Sequence, residues 1–244
     1  MKKFLVIGES CLDVFHYGFC TRLTPEAPAP VFNSMGFTNN GGMAMNVFRN
    51  LKIFCDDVDI HTNENWEDIR KTRFVEKKSN HMFLRLDERD DQYGRIDLNK
   101  IEFSNYDCVI VSDYNKGYLS VDDLMQISKS HNKTFLDTKK DLGVWSKNYS
   151  FVKINGVEYD RTKQFLDKEM MENLIVTQGP KGCFYRNKRY PVPLVEVKDV
   201  SGAGDTFLSA FAFQYTITEN VANSIEFANE CSTKVVQKRG VTTI

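Results

Sequence analysis

The feature that most narrows the fold of this chain is a series of short, predominantly apolar runs separated by stretches of helical character. Phe4–Ile7, Cys108–Val111, Thr134–Leu136, Phe151–Ile154 and Leu174–Val176 are rich in Val, Ile, Leu and Phe. Runs of this kind, alternating with helices, are the pattern of parallel strands buried on both faces and joined by crossover helices. Each run is followed by a polar or Gly-containing turn. In such sheets ligands collect beyond the carboxyl ends of the strands, so the chemistry is expected just after the runs. At 244 residues the chain is at the upper end of one α/β domain and reads as a single domain over 1–244 with a small appendage. A chain of this length buries a core without staples.

The appendage has a different texture. Leu12 to Phe19 and Val31 to Phe37 are extended segments on either side of Pro25-Glu26-Ala27-Pro28-Ala29-Pro30, a stiff polyproline-like connector. Further on, Met82, Leu84 and Leu86 alternate with Phe83, Arg85 and Asp87, the period of a half-buried strand. Together they predict a small β lid formed by segments about 11–38 and 72–88. Towards the end, Ala203 to Tyr215 is apolar nearly all round and predicts a helix inside the core, and Asn220 to Lys234 predicts a more amphipathic final helix.

Several classes of function are disfavoured. Lys and Arg number 32 against 33 Asp and Glu, a formal net charge of −1, so no net field draws the chain to nucleic acid or to an anionic membrane. The six cysteines, Cys11, Cys20, Cys55, Cys108, Cys183 and Cys231, form no C-x-x-C pair and no zinc spacing. Reduced thiols in a cytoplasmic protein are the simplest reading. The four histidines include no H-x-x-x-H pair. Lys2-Lys3 before Phe4–Ile7 imitates a signal peptide, but Glu9 and Asp13 cut the apolar run short. No run reaches the length of a membrane span.

The most informative stretch is Asp199-Val200-Ser201-Gly202-Ala203-Gly204-Asp205-Thr206-Phe207, directly before the buried helix. Two glycines let successive amides and a helix N-terminus converge on one point, which is an anion site fit for phosphate. A carboxylate beside phosphate has poor electrostatics for binding alone, yet Asp205 suits a base that takes a proton from an attacking hydroxyl. The bland alternative is a glycine turn capped by Asp. Phe207 stands where a dinucleotide fingerprint has its third glycine, and no Walker A loop is present.

Other strand ends carry weaker signals. Asn155-Gly156-Val157-Glu158 is either a helix capping box or a pair of oxygen ligands that hold Mg²⁺ through water. Thr177-Gln178-Gly179-Pro180-Lys181-Gly182 is either a nucleotide-wrapping loop or a plain hairpin, and Lys139 can set a cation near phosphate. Earlier in the chain, Gly41 and Gly42 let a polyol approach the backbone, Asn46 can donate and accept towards hydroxyls, and Asp13 can accept from them. Ser112-Asp113-Tyr114-Asn115-Lys116-Gly117 offers an acid, a phenol and a cation together.

The late D-x-x-G-A-G-D form and the early Gly-Gly with its downstream Asn, in that order, resemble the ribokinase (PfkB-type) carbohydrate kinases. Within that family the pattern is similar to the heptose-phosphate kinases, the kinase half of the enzymes that make ADP-heptose. The residues concerned are Leu12-Asp13, Arg22 to Pro30, Arg85-Leu86-Asp87, Ser112 to Gly117 and Phe227-Ala228-Asn229. The resemblance implies a ribokinase-like (Rossmann-like) α/β fold, with a mostly parallel central sheet, flanking helices and a β lid through which two subunits pair. It implies ATP and Mg²⁺, with a monovalent cation as a further candidate, and transfer of the γ-phosphate to a sugar hydroxyl. The acceptor implied is a heptose 7-phosphate-like sugar phosphate, giving a 1,7-bisphosphate. Asp205 would then be the base, and the amides of Gly202, Ala203 and Gly204 would hold the transferring charge. Asn155 and Glu158 would link to Mg²⁺; Asp199, Thr177, Gly179, Gly182, Asn229, Gly240 and Lys139 would lie on the nucleotide side. Asp13, Gly41, Gly42, Asn46, Arg85, Asp113 and Lys116 would lie on the sugar side.

There are departures from the family pattern. Residues 51–80 and 158–174 are shorter than the family's, which predicts a missing or reduced strand–helix unit, and no nucleotidyltransferase domain follows Gly240. Two other readings stay open: a kinase for another sugar or a nucleoside, and a shortened, non-catalytic nucleotide- or sugar-binding relic.

Overall fold

In the computed structural model, which describes residues 2–244, the chain runs through twelve strands and six helices. They are β1 (Phe4–Gly8), β2 (Leu12–Leu23), β3 (Pro30–Gly41), α1 (Ala44–Phe54), β4 (Val58–His61), β5 (Arg70–Glu76), β6 (Met82–Glu88), β7 (Cys108–Asp113) and α2 (Val121–Ser130). Then follow β8 (Thr134–Thr138), β9 (Phe151–Asn155), α3 (Gly156–Thr162), α4 (Lys168–Glu172), β10 (Leu174–Thr177), β11 (Cys183–Tyr185), β12 (Lys188–Tyr190), α5 (Ala203–Thr218) and α6 (Val221–Val236). The five apolar runs become β1, β7, β8, β9 and β10, side by side and parallel, in an eight-stranded sheet of order β12-β11-β10-β9-β8-β7-β1-β4. Only β11 and β12, a hairpin at one edge, run antiparallel.

Strand alternation divides the core into two layers. Phe4 and Val6 of β1 pack with α1, α5 and α6, whereas Leu5 and Ile7 pack on the opposite face with Leu124 and Ile127 of α2. The α5 side is aromatic: Phe211 meets Phe151 edge-on with ring centroids 5.0 Å apart, and Phe135 stacks on Phe151 at 5.6 Å. This is why the Ala203–Thr218 helix is apolar nearly all round: the sheet covers one side and α1 and α6 cover others.

The lid is a second sheet of four strands, order β3-β2-β5-β6. Its registers sort the residues by face. Asp13, Lys71 and Asp87 lie opposite one another on one face, as do Phe15, Arg73 and Arg85. Asp13 and Phe15 are buried there, while Phe37, Leu84 and Leu86 on the other face are exposed. The edge strands β4 and β12 and the lid strand β5 are half polar, so their sequences carry no apolar run to betray them. No helix stands between β4 and β5 among the described residues; a turn at 62–69 leads from the sheet edge straight into the lid.

The aromatic layer sets the attachment of α5. Replacing Phe211, 1% exposed, with Ala is expected to cost about 3–5 kcal/mol, measured as a loss of unfolding free energy in urea.

Candidate active site

The ends of β7, β8, β9 and β10 face the first turn of α5. Gly202 precedes that turn with φ +79°, a left-handed conformation, and a Cβ there would stand 2.8 Å from Asn46 Nδ2. Gly204 has a different reason: a Cβ on it would stand 2.8 Å from Lys153 Nζ. The Ala203 amide donates to Val200 O at 3.2 Å. That corrects its expected role, because it leaves the amides of Gly202 and Gly204 as the open donors of the turn. The site is still an anion site: a helix N-terminus with its dipole and unpaired N–H groups.

Asp205 lies in that first turn and is buried. Asn46 Nδ2 donates to its Oδ2 at 2.8 Å and the Tyr114 hydroxyl donates to its Oδ1 at 3.0 Å. Burial, with the charge of Asp137, pushes its carboxyl up to about 6, against the opposing pull of the Asn46 hydrogen bond, Lys153 and Tyr114. Such a carboxyl is ionised at neutral pH yet basic enough to take a proton. Tyr114 is itself held by Glu9, a buried acid at the end of β1 that accepts from the amides of Tyr114 (2.8 Å) and Lys116 (3.0 Å). Burial and the Asp113 charge raise the Glu9 pKa. In the sequence the Tyr114 phenol stands as one polar group of a loop, and Glu9 only as the acid that cuts the first apolar run. The signal was available in an acid ending a fully apolar strand.

Beside Asp205 opens a cavity of about 480 Å³, of the size that takes a small ligand. Its polar wall holds Tyr114, Asp137, Lys139, Lys153 and Asn155, and its apolar wall is the segment from Val192 to Val200 with Phe207 and Val236. Thr177, Gly179, Gly182 and Asn229 line it, and Gly240 does not. Gly240 instead donates its amide to Asp199 Oδ2 at 3.1 Å, and Asp199 Oδ1 accepts from Ser201 N at 2.9 Å. Asp199 therefore shapes the turn ahead of Gly202 from outside the cavity.

Asn155 and Glu158 form the capping box: Asn155 Oδ1 accepts from Glu158 N (2.9 Å) and Glu158 Oε2 from Asn155 N (2.8 Å). Lys139 Nζ donates to the remaining oxygen of Glu158 at 2.5 Å. Asp137 Oδ1 is buried and without a hydrogen-bond partner, with Lys139 Nζ 3.8 Å away. Among the described residues no three His, Cys, Asp or Glu side chains cluster as a metal cage. Hard oxygens from one or two carboxylates suit Mg²⁺, which takes its other ligands from water and phosphate, so Asp137, which lines the cavity, fits that ion, whereas both oxygens of Glu158 are taken up and the Asn155–Glu158 pair departs from its expected Mg²⁺ role.

On the other side of Asp205, Gly42 lies against Asp13, where a Cβ would stand 2.6 Å from Asp13 Oδ2, and Gly41 lies against the Met45 side chain. Asp13, Gly42, Asn46 and Asp205 thus form one continuous wall. Arg73 of β5, absent from the sequence-based set, donates to Asp13 Oδ1 at 2.8 Å. Lys116 and Lys71 both pair with Asp90, the former at 2.5 Å. Arg85 donates twice to Asp87, at 2.7 and 2.9 Å. Asp113 departs from its expected sugar-side place, because Thr138 and Lys140 (2.7 Å) and the Asn115 amide (3.1 Å) occupy its buried carboxylate.

A glycine turn at a helix N-terminus, a buried carboxylate with a raised pKa and a lid on a mostly parallel sheet are the features of an α/β phosphotransferase. The fold agrees with solved ribokinases: that of Thermotoga maritima matches with a TM-score of 0.71 at 14% identity, over 99% of this chain and 95% of that one. The Arabidopsis thaliana ribokinase complexed with ribose and ATP matches with a TM-score of 0.70 at 14% identity, over 98% and 94%. Residues 148–244 match the pfkB family carbohydrate kinase model. Among curated proteins, the bifunctional protein HldE of Nitratiruptor sp. is 29% identical over 99% of this chain and 63% of its own length. That of Helicobacter pylori J99 is 30% identical over 98% and 64%. Residues 148–244 thus carry the pattern of the pfkB family carbohydrate kinases, on a ribokinase-like fold, and the chain spans a little under two thirds of the length of these curated relatives.

If Asp205 is the base, only its ionised form turns over substrate. The rate is expected to rise about tenfold per pH unit below its raised pKa of about 6 and to level off above it, measured as kcat against pH.

Proposed function

We propose that this chain transfers the γ-phosphoryl group of ATP to a hydroxyl of a phosphorylated heptose, giving a 1,7-bisphosphate. The observation that carries this reading is the hydrogen bond from Asn46 to Asp205, 2.8 Å long. It joins the wall suited to hydroxyls to the carboxylate beside the anion site. The acceptor oxygen bonds to the γ-phosphorus, its proton passes to Asp205, and the bond to the β–γ bridging oxygen breaks with its electron pair leaving on ADP. The amides of Gly202 and Gly204 face the charge that develops on the transferring group. Mg²⁺, when bound, would offset phosphate charge, and Asp137 is the residue that would hold it. The cations at the lid, Lys71, Arg73, Arg85 and Lys116, support a phosphorylated acceptor over a plain sugar. The sequence resemblance to heptose-phosphate kinases and the HldE relatives support a heptose.

The reading includes a homodimer. The outer lid face exposes Phe37, Leu84, Leu86 and Met35, with His16 stacked on Phe74 between them. An apolar face of this kind on a sheet with an open edge is suited to cover by a second copy. It also includes a cytoplasmic location, supported by six free cysteines, five of them buried. No helix among the described residues is long and apolar enough to cross a membrane.

ADP release is measured with ATP, Mg²⁺ and a sugar panel headed by D-glycero-D-manno-heptose 7-phosphate. The expected result is turnover on the heptose phosphate, with Asp205→Asn lowering kcat by about 10²–10⁴-fold. Turnover by the variant at the wild-type rate would remove Asp205 as base. ATP binding without turnover on any sugar would favour the binding relic. That reading draws on the alignment to the Nitratiruptor protein, which runs to 291 positions against 244 residues here, so the relative carries residues this chain lacks. For the dimer, Phe37→Glu with Leu84→Glu is expected to halve the mass seen by light scattering at micromolar concentration and to leave the melting temperature unchanged.

A further inference from the structure

Lys153 occupies a position where the fold calls for an apolar side chain. On β9, Val152 and Ile154 pack into one core layer, whereas Phe151 and Lys153 point to the layer covered by α5. The register with β8 sets Phe135 opposite Phe151 and Asp137 opposite Lys153. One cross-strand ladder therefore passes from an aromatic pair to an ion pair, and the ion pair comes at the strand ends beneath the first turn of α5. Lys153 and Asp137 are 4% and 5% exposed, and Nζ donates to Asp137 Oδ2 at 2.6 Å.

Stability does not account for this pair. Two charges taken out of water lose hydration that their attraction barely returns, and an apolar pair of the same volume would serve the core as well or better. The ammonium is instead aimed. It lines the same cavity as Asp205 and the glycines of the anion site, and it reaches that site because Gly204 has no side chain: a Cβ there would stand 2.8 Å from Nζ. Gly204 takes an ordinary helical conformation, so close approach alone explains why it is glycine. Lys139, the neighbouring cation of the cavity, is half-buried and tied to Glu158 at 2.5 Å.

We propose that Lys153 is a catalytic residue of the transfer: its ammonium contacts the γ-phosphoryl group held at the first turn of α5, and Asp137 aims it there. The proposal rests on the kinase reading above. As the acceptor oxygen bonds to phosphorus and the bridging bond breaks, negative charge spreads over the oxygens of the transferring group. A fixed ammonium under those oxygens stabilises that charge without giving up a proton, while the acceptor's own proton goes to Asp205.

The test separates the γ-phosphate contact from any metal and from folding. Binding of ADP and of the non-hydrolysable analogue AMP-PNP is measured by calorimetry in EDTA. The proteins are the wild type, Lys153→Met, and Lys153→Met with Asp137→Leu, the last leaving no unpaired buried charge. The wild type is expected to bind AMP-PNP more tightly than ADP. Both variants are expected to lose about tenfold towards AMP-PNP and to keep ADP affinity within about twofold. With Mg²⁺ and the heptose phosphate, Lys153→Met is expected to lower kcat about 10²–10³-fold with the acceptor KM unchanged. A double variant that melts like the wild type and keeps its preference for AMP-PNP would make the pair structural and overturn the proposal. So would a wild type that binds nucleotide only when Mg²⁺ is restored, because the metal would then supply the whole phosphate charge. A wild type that binds neither nucleotide with or without Mg²⁺ would remove the kinase reading, and this proposal with it.

Discussion

The seam between α1 and α5 is polar in a core that is otherwise aromatic and aliphatic. Asn46 donates to Asp205, Thr206 donates to Asn50 at 3.3 Å, and the Ser209 hydroxyl donates to Val47 O at 3.1 Å. Buried polar groups are costly unless paired, so each of these bonds penalises any slide or rotation of one helix on the other. The seam therefore fixes the depth at which α5 starts, and with it the height of the anion site above the strand ends. Asp205 sits at the top of the seam, which is how it stays buried and still reaches the cavity. Its raised pKa follows from the same burial, so the packing that locates the helix also tunes the base.

What could be read from the chain divides along physical lines. Strands buried on both faces announce themselves as apolar runs, which is why β1, β7, β8, β9 and β10 were legible. Edge strands and lid strands meet water on one side, and β4, β5 and β12 have no such run. The glycine turn before α5 was legible because backbone geometry restricts residue type: Gly202 at a left-handed φ and Gly204 at a close approach leave a mark in sequence. Lys153 and Tyr114 left none, and Glu9 only that of an acid ending an apolar strand. Their meaning comes from register and from loops that meet across the sheet, such as Lys153 opposite Asp137 and Tyr114 opposite Asp205. Asn155-x-x-Glu158 was ambiguous in sequence, and the structure shows why: the same two side chains can cap α3 and leave one Glu158 oxygen facing Lys139.

Asp13 also shows how a sequence-level candidate acquires its character from neighbours. Alone it is an acid after a strand. In the fold it lies against Gly42, accepts from Arg73 and shares its lid face with Lys71 and Arg85. Asp113, a candidate of the same standing, goes the other way. Thr138, Lys140 and the Asn115 amide occupy it, and its work is to hold the loop that carries Tyr114. Asp13 lies at the start of β2 in the lid and Asp113 ends β7 in the main sheet; what surrounds each, and not its type, separates the two carboxylates.

The lid and the anion site are not mechanically separate. The tip of the β5–β6 hairpin rests on the segment that leads into α5: Asn80 Nδ2 donates to Lys198 O at 3.1 Å, and Arg239 donates to the carbonyls of Lys77 and Lys78 at 2.7 and 2.9 Å. Asp199, next in the chain, accepts from Ser201 and Gly240, and a Cβ on Gly240 would stand 3.0 Å from the Tyr17 hydroxyl of β2. A shift of the lid therefore bears on the turn that presents the Gly202 and Gly204 amides, through four residues and two short hydrogen-bonded links. At the opposite end of the lid, Asp13 lies at the start of β2 and Asn46 in the first turn of α1, just after β3, so the same sheet bears on the hydrogen bond to Asp205. The lid, the turn before α5 and the Asp205 carboxylate are thus set together, which is the arrangement that the proposed transfer between two bound molecules requires, since the groups that would hold each molecule share one hydrogen-bonded frame.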